Sequence, residues 1–380
     1  MMSQDDALLL KNVATLQKTL MPKNKKPEEL DLISRVSSYC ATWDLLQKNT
    51  TIIIGLSGGP DSVFLLHVLS QLKTEYSLTL VAVHLDHGWR ENSAADIDFC
   101  KSYATRYDVL FEHAHARDIT ITKKSSGSLE EQGRLLRRTF FEQVAQKYAS
   151  PHNPTAIALA HHHDDQIETF FIRLLRGAGV TGLAGIRPQY KNHHKNYIRP
   201  LLCCTKEEIL TFLHAQALSY LEDPTNKDPR FLRNRIRSTI IPALRTCDTR
   251  FDASLERTMA HLQEADEFIQ TTTHKTLEKV SIVQKNSQRQ LLLPAFAELH
   301  PFLQKQILLA WLIESGFPFT VSSGLLDELI RFLLISKNKK HLLYHSWSII
   351  KQNSCATLEG EGAEKANGQK RSGSTTTRNS

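Results

Sequence analysis

The chain has 380 residues, room for two or more hydrophobic cores rather than one. Lysine and arginine outnumber aspartate and glutamate by 47 to 40, and the formal charge of +7 suits an anionic partner without naming one. The six cysteines form no C-x-x-C pair, which disfavours zinc, iron–sulfur and secreted-disulfide readings, and no apolar run approaches the ~20 residues that cross a bilayer.

In chain order, the first residues, "MMSQDDALLLKNVATL", carry Asp5 and Asp6 where a signal or transit peptide carries basic residues, so a cytoplasmic location is expected. Residues 1–47 read as a helical N-terminal extension interrupted by the basic run "MPKNKKPEEL". From Thr51 the pattern alternates. Strand-like runs are predicted at Thr51–Leu56, Leu78–Leu85, Val109–His113 and Thr155–Ala160. A helix-like segment follows each: Ser62–Lys73, Ala94–Arg106, Leu129–Tyr148 and Asp165–Arg176. Short apolar strands alternating with amphipathic helices predict an α/β fold. The expected core is a doubly wound, mostly parallel, Rossmann-like sheet over residues 48–229, with a smaller, mainly helical domain after it.

After Arg230 the strands are expected to stop. Residues 230–336 read as a helical domain, and 337–358 as a small hairpin closing Leu342–Leu358. Residues 359–380 contain no large apolar side chain and read as a disordered tail. Deleting residues 360–380 is therefore expected to leave thermal stability and turnover nearly unchanged. A clear drop in melting temperature would show that the tail packs.

The stretch Gly55–Ser62, "GLSGGPDS", joins the first strand to the first helix. It lacks the Gly-Lys-Ser/Thr ending of a Walker loop and is not G-x-G-x-x-G. Gly58 and Gly59 can present main-chain N–H groups, and Ser57 and Ser62 add hydroxyls, at the positive end of a helix. Ser57, Gly58, Gly59, Pro60, Asp61 and Ser62 are thus candidates to hold the terminal two phosphates of a nucleotide. Asp61 repels a bare phosphate, so a bridging Mg²⁺ is its natural partner and Asp61 the candidate metal ligand. The plainer alternative is a strand-to-helix turn with a Ser or Asp cap.

"AHHHDDQIET" follows the fourth strand. Asp164 or Asp165, and Glu168, fall at helical spacing with His161, while Ile167, Phe170, Phe171 and Leu174 take the core side. This pattern admits a metal site, a solvated helix start, or carboxylates that hold Mg²⁺ or receive an amine and take its proton. The candidate catalytic residues are Asp164, Asp165 and Glu168. Two basic stretches, "SLEEQGRLLRRTFF" and "DPRFLRNRIRSTIIPALRTCDTR", offer Arg134, Arg137, Arg233, Arg235 and Arg237 to an RNA backbone. Neither carries the aromatics of a standard RNA-binding module.

On these residues the sequence resembles the tRNA(Ile)-lysidine synthases, within the N-type ATP pyrophosphatases. The loop "SGGPDS" gives only the superfamily. The narrower likeness lies in "VHLDHGWR", "GSLEEQGRLLRR", "AHHHDDQIET", "RPLL", "EDPTN" and "RNRIR", in that order over roughly residues 50–240. The resemblance implies an ATP-dependent ligase that joins free L-lysine to the wobble cytidine of a tRNA(Ile) with a CAU anticodon. Adenylation of cytidine O2 would release pyrophosphate, and the lysine ε-amine would then displace AMP at C2. A homodimer is compatible with this reading. Two other readings are a tRNA thiolase of the same fold, which needs a persulfide-carrying or cluster-binding cysteine, and a non-catalytic RNA-binding protein.

Overall fold

The computed structural model describes residues 32–88, 93–120, 129–150, 153–192, 195–222, 228, 230–284, 288–319, 321–336, 339–344 and 346–360. The N-terminal extension up to residue 31, and the tail from 361, lie outside the described residues. The chain divides into two compact units, Met1–Ala260 and His261–Ser380.

In the first unit, helix α1 (Leu32–Thr42) precedes β1 (Thr51–Gly55), whose run Ile52–Ile54 is fully buried. Successive side chains of a strand point to opposite faces, and here both faces are covered. Ile52 and Ile54 join a core with Val63, Leu66 and Leu69 of α2 (Pro60–Leu72). Ile53 joins another with Phe140, Phe141 and Val144 of α4 (Leu129–Tyr148). Between them in the chain lie β2 (Thr79–Asp86), α3 (Ser93–Arg106) and β3 (Leu110–His115). A continuous apolar run makes a strand of this kind because neither face can meet water.

The remaining sheet elements are β4 (Thr155–Ala158), β5 (Gln189–Asn192) and β6 (Lys195–Ile198), giving the order β3-β2-β1-β4-β6-β5. Ile53 of β1 lies opposite Val81 of β2 on one side and Ile157 of β4 on the other, both in parallel register. Only the edge strand β5 runs antiparallel, beside β6. The connection order reverses at β1, so the crevice between the carboxyl ends of β1 and β4 is the expected ligand position of a doubly wound sheet. Helices α5 (His163–Leu175), α6 (Val180–Leu183) and α7 (Lys206–Ala215) follow β4 and β6.

Beyond the sheet, α8 (Leu232–Arg235) runs through a π turn, Ile236–Ile240, into α9 (Ile241–Cys247), and the long α10 spans Phe251–Lys279. Residues 230–260, expected to belong with the following helices, instead join the first unit. The cause is a core in which Ile236, Ile241, Leu255 and Met259 pack on Ile167 of α5. Leu174, expected on the core side of α5, is 47% exposed because that core ends one turn earlier.

In the second unit, β7 (Ser281–Val283) and β8 (Arg289–Leu292) precede α11 (Leu293–Ala297), α12 (Pro301–Glu314) and α13 (Ser323–Leu334). Three further strands, β9 (Lys340–Leu342), β10 (Ser348–Gln352) and β11 (Cys355–Glu359), complete a sheet of order β7-β8-β11-β10-β9. The predicted hairpin is present as β10–β11, but the expectation that strands otherwise stop at Arg230 is corrected. Strands of three and four residues are too short for alternation to show in the sequence. Trp311 is fully buried in this unit's core and donates from its indole N–H to the Arg289 carbonyl at 2.9 Å.

Candidate active site

Residues 56–59 turn over the carboxyl end of β1. Gly58 sits at φ +81°, and a Cβ added there would lie 2.6 Å from Leu221 Cδ1. Its carbonyl also accepts from the Leu221 N–H at 2.9 Å, so both conformation and close approach require glycine at this point. The loop is prearranged. Ser57 N–H donates to Ser62 Oγ at 3.1 Å, the two serine hydroxyls lie 3.1 Å apart, and Ser62 Oγ donates to the Gly59 carbonyl at 2.9 Å. Gly59 is the N-cap and offers no side-chain acceptor, while Pro60 occupies the first helical position. A helix start with no side-chain cap keeps its donors for an anion.

Asp61, in the first turn of α2, accepts from Lys206 Nζ at 2.6 Å, and its other oxygen lies 3.8 Å from His162 Nε2. Lys206 opens α7, fixed by a reciprocal cap in which Glu208 N–H donates to Thr205 Oγ1 and Thr205 N–H donates to Glu208 Oε2. The main-chain N–H of Lys206 also donates to Asp164 Oδ2 at 2.8 Å. One residue therefore ties the acid of the glycine loop to the acids after β4. Sequence reading missed Lys206; the signal was the T-x-x-E capping box at Thr205–Glu208.

The three candidate acids do not share one face. Asp164 turns to the Lys206 N–H and to Arg245 Nη2, at 3.3 Å. Asp165 and Glu168 turn to Arg233, which donates to Asp165 Oδ1 and Glu168 Oε2 at 2.5 Å each, and Arg237 donates to Glu168 Oε1 at 2.5 Å. Glu168 is fully buried beneath the two guanidiniums. The counter-charges of Arg233 and Arg237 are thus carboxylates 65 to 69 residues away in sequence. Arg235 is exposed and donates to the Arg230 carbonyl at 3.0 Å. Arg134 and Arg137 are exposed on α4.

The electrostatics follow from burial and these partners. Burial raises the Asp164 carboxyl, but His162, the Lys206 N–H and Arg245 outweigh it and hold the group well below the usual carboxylate range. Asp165 is likewise lowered: burial opposes, and His162, Arg233 and His161 prevail. Burial pulls the His162 imidazole down, yet Asp164, Asp165 and Asp61 raise it above its ordinary value. His161 has no such compensation. Burial, with Arg199, Arg233 and Arg134, overcomes Asp165 and pushes it down to about 4. A cleft of about 920 Å³ opens beside these groups, lined among others by His162, Asp164, Glu168, Lys206, Arg237 and Arg245.

A pH dependence follows. His161, and His87 through burial and Arg137, are held at about 4 against an ordinary 6.5. Between those values the unfolded chain binds protons that the folded chain does not, so these residues make stability fall as the pH drops from 6.5 toward 4. The urea midpoint is expected to decrease through that window, and His161→Asn to flatten the decrease. A His161→Asn variant with the wild-type pH profile would contradict the assignment.

Among the described residues, no group of three or more His, Cys, Asp or Glu side chains is arranged to hold a metal ion. All six cysteines are free; the Cys203 and Cys204 sulfurs lie 3.8 Å apart. No helix among the described residues is long and apolar enough to cross a membrane.

A preorganised glycine–serine loop at the switch point of a doubly wound sheet, with basic and acidic groups closing over it, defines a nucleotide-binding α/β protein. The chain belongs to the PP-loop domain family, whose profile matches residues 30–244. It is 31% identical over 304 residues to a tRNA(Ile)-lysidine synthase of Bacillus cereus, covering 79% of this chain and 63% of that protein. A tRNA(Ile)-lysidine synthase of Geobacillus kaustophilus is 32% identical over 296 residues, 77% of this chain and 62% of the relative. The chain thus spans somewhat under two thirds of the length of these relatives. Among solved structures, a U34-tRNA thiolase from Methanococcus maripaludis superposes with a TM-score of 0.49 at 18% identity, covering 67% of this chain and 78% of that one.

Proposed function

We propose that the protein is an ATP-dependent ligase that joins lysine to the wobble cytidine of a tRNA(Ile) with a CAU anticodon, working in the cytoplasm. The observation that carries this reading is the pairing of two chemistries across one crevice: a pyrophosphate cradle after β1 and three carboxylates after β4, linked through Lys206. The relatives named as lysidine synthases support the same choice.

In this reading cytidine O2 attacks the α-phosphorus of ATP, and the pyrophosphate departs into the donors of Ser57–Ser62. Asp61, a hard oxygen donor beside that cradle, would hold Mg²⁺ that arrives on the phosphates, since Mg²⁺ commonly takes one or two carboxylates with substrate phosphates. The ion would neutralise charge on the departing pyrophosphate. Lys206, already on Asp61, adds a second positive charge there. The lysine ε-amine must lose a proton before it attacks C2 and displaces AMP. Asp165 and Glu168 would receive it. A carboxylate has about four acceptor sites, so the bonds from Arg233 and Arg237 leave capacity for an ammonium. Asp164, turned toward Lys206, would fix α7 against the crevice.

The test is sustained pyrophosphate release from ATP with the CAU tRNA and lysine supplied together, singly and not at all. Turnover is expected only with both, because without lysine the adenylated tRNA accumulates after one event. Sustained release with neither would defeat the reading. Release driven by tRNA and a sulfur donor, without lysine, would instead favour a thiolase.

A further inference from the structure

Arginines of the first unit differ in what they hold. Arg138, Arg230, Arg233, Arg237, Arg245 and Arg250 each hold a carboxylate. Arg134, Arg173 and Arg199 hold none among the described residues. Arg173 Nη1 donates to the carbonyls of Gly182 and Gly185 at 2.7 and 2.9 Å, and Arg199 Nη1 donates to the Arg187 carbonyl at 2.8 Å. Both guanidiniums are therefore fixed on one loop, 182–187, by neutral acceptors that leave their charge uncompensated. Arg199 Nε is buried with no hydrogen-bond partner at all. Arg199 directly follows β6, whose Ile198 lies opposite Ala158 of β4, so it stands on the same edge of the sheet as the acids after β4.

We propose that Arg173, Arg199 and the exposed Arg134 form a subsite for a backbone phosphate of the RNA strand that carries the reacting nucleotide. The electrostatics agree: burial and the charge of Arg134 lower both partners, Arg199 to about 10, the condition that an arriving anion relieves. The pyrophosphate cradle lies at β1, two strands from β6, roughly 10 Å at ~4.8 Å per strand, so this anion is a second one. Arg134 opens the cluster to solvent, and Arg137 lies one turn further along the same helix face. A line of cations leading outward suits a polyanion better than one small ligand. The arginines that read as the RNA-binding set, Arg233 and Arg237, then serve the carboxylates.

This subsite rests on the reading that RNA is the substrate. The test measures binding of a CAU-anticodon tRNA transcript to the full chain across a KCl series, without ATP or lysine. Arg134→Ala, at an exposed position, and Arg199→Gln, whose amide can still donate to the Arg187 carbonyl, are each expected to reduce the log–log salt slope by about 0.7 to 0.9. Arg250→Ala, paired with Asp248, is expected to leave it unchanged. An unchanged slope for Arg134→Ala, or an equal loss for Arg250→Ala, would overturn the subsite. So would an unchanged tRNA slope with weakened binding of ATP or of lysine in separate titrations, which would assign the anion to the nucleotide or to the amino-acid carboxylate. Absence of any salt-dependent tRNA binding by the unmodified chain would instead defeat the functional reading itself.

Discussion

Asp61→Ala is expected to abolish pyrophosphate release, with a loss of at least about 10²- to 10³-fold, the scale for one preorganised charge-stabilising group. The reason is local. Asp61 is the acid within the proposed pyrophosphate cradle, and it holds Lys206 at 2.6 Å. Without it the lysine can swing away, and the carboxylate proposed to hold Mg²⁺ is lost. The fold should survive, because the Asp61–Lys206 pair is part-exposed and pairs of that kind contribute about 0–1 kcal/mol. Pyrophosphate assays with a parallel melting curve check both halves. Retained release at unchanged stability would remove Asp61 from the mechanism.

Glu168→Gln should separate the second step from the first. The substitution keeps shape and removes charge from a fully buried group that holds Arg233 and Arg237. Stability should drop by about 1–3 kcal/mol, since two guanidiniums lose a charged acceptor but retain contact with solvent. Adenylated tRNA should still form and accumulate, with lysidine formation reduced by more than about 10²-fold, the scale of a positioned acid–base group. Arg233→Lys is expected to lower lysine transfer more than adenylation, because one ammonium cannot span Asp165 and Glu168 as the guanidinium does. If Glu168→Gln stops pyrophosphate release as completely as Asp61→Ala, the acids serve ATP and not the amine.

The central sheet was legible because its signals are local. Ile52–Ile54 is apolar on every residue and ends in glycines, and the predicted helix Leu129–Tyr148 matches α4 at both ends. The β5–β6 pair was not legible: "QYKN" of the edge strand and "KNYI" beside it are too short and too polar to show a strand pattern. In the site, the loop Ser57–Ser62 and the acids after β4 could be named from spacing. Their partners could not. Nothing in "RNRIR" announces that Arg233 and Arg237 fold back onto Glu168 across more than sixty residues. Charge runs are ordinarily judged by near neighbours, and here tertiary contact supplied the counter-ions. Lys206 was hidden for the same reason, since its two carboxylates come from different segments, Asp61 and Asp164.

The β1–β4 pairing joins Thr51 to Thr155, about a hundred residues apart, whereas β2 reaches β1 from Thr79. Contacts of such long sequence separation form late, because the intervening chain must close before they reward it. The half of the sheet bearing the glycine loop can therefore assemble while the acid-bearing half is still unplaced. During synthesis from the N-terminus, a nascent chain stopped before β4 would carry the glycine loop with none of the acids of α5 facing it. The fold's connectivity thus brings the loop and the acids face to face only at the close of assembly, when β4 has docked on β1.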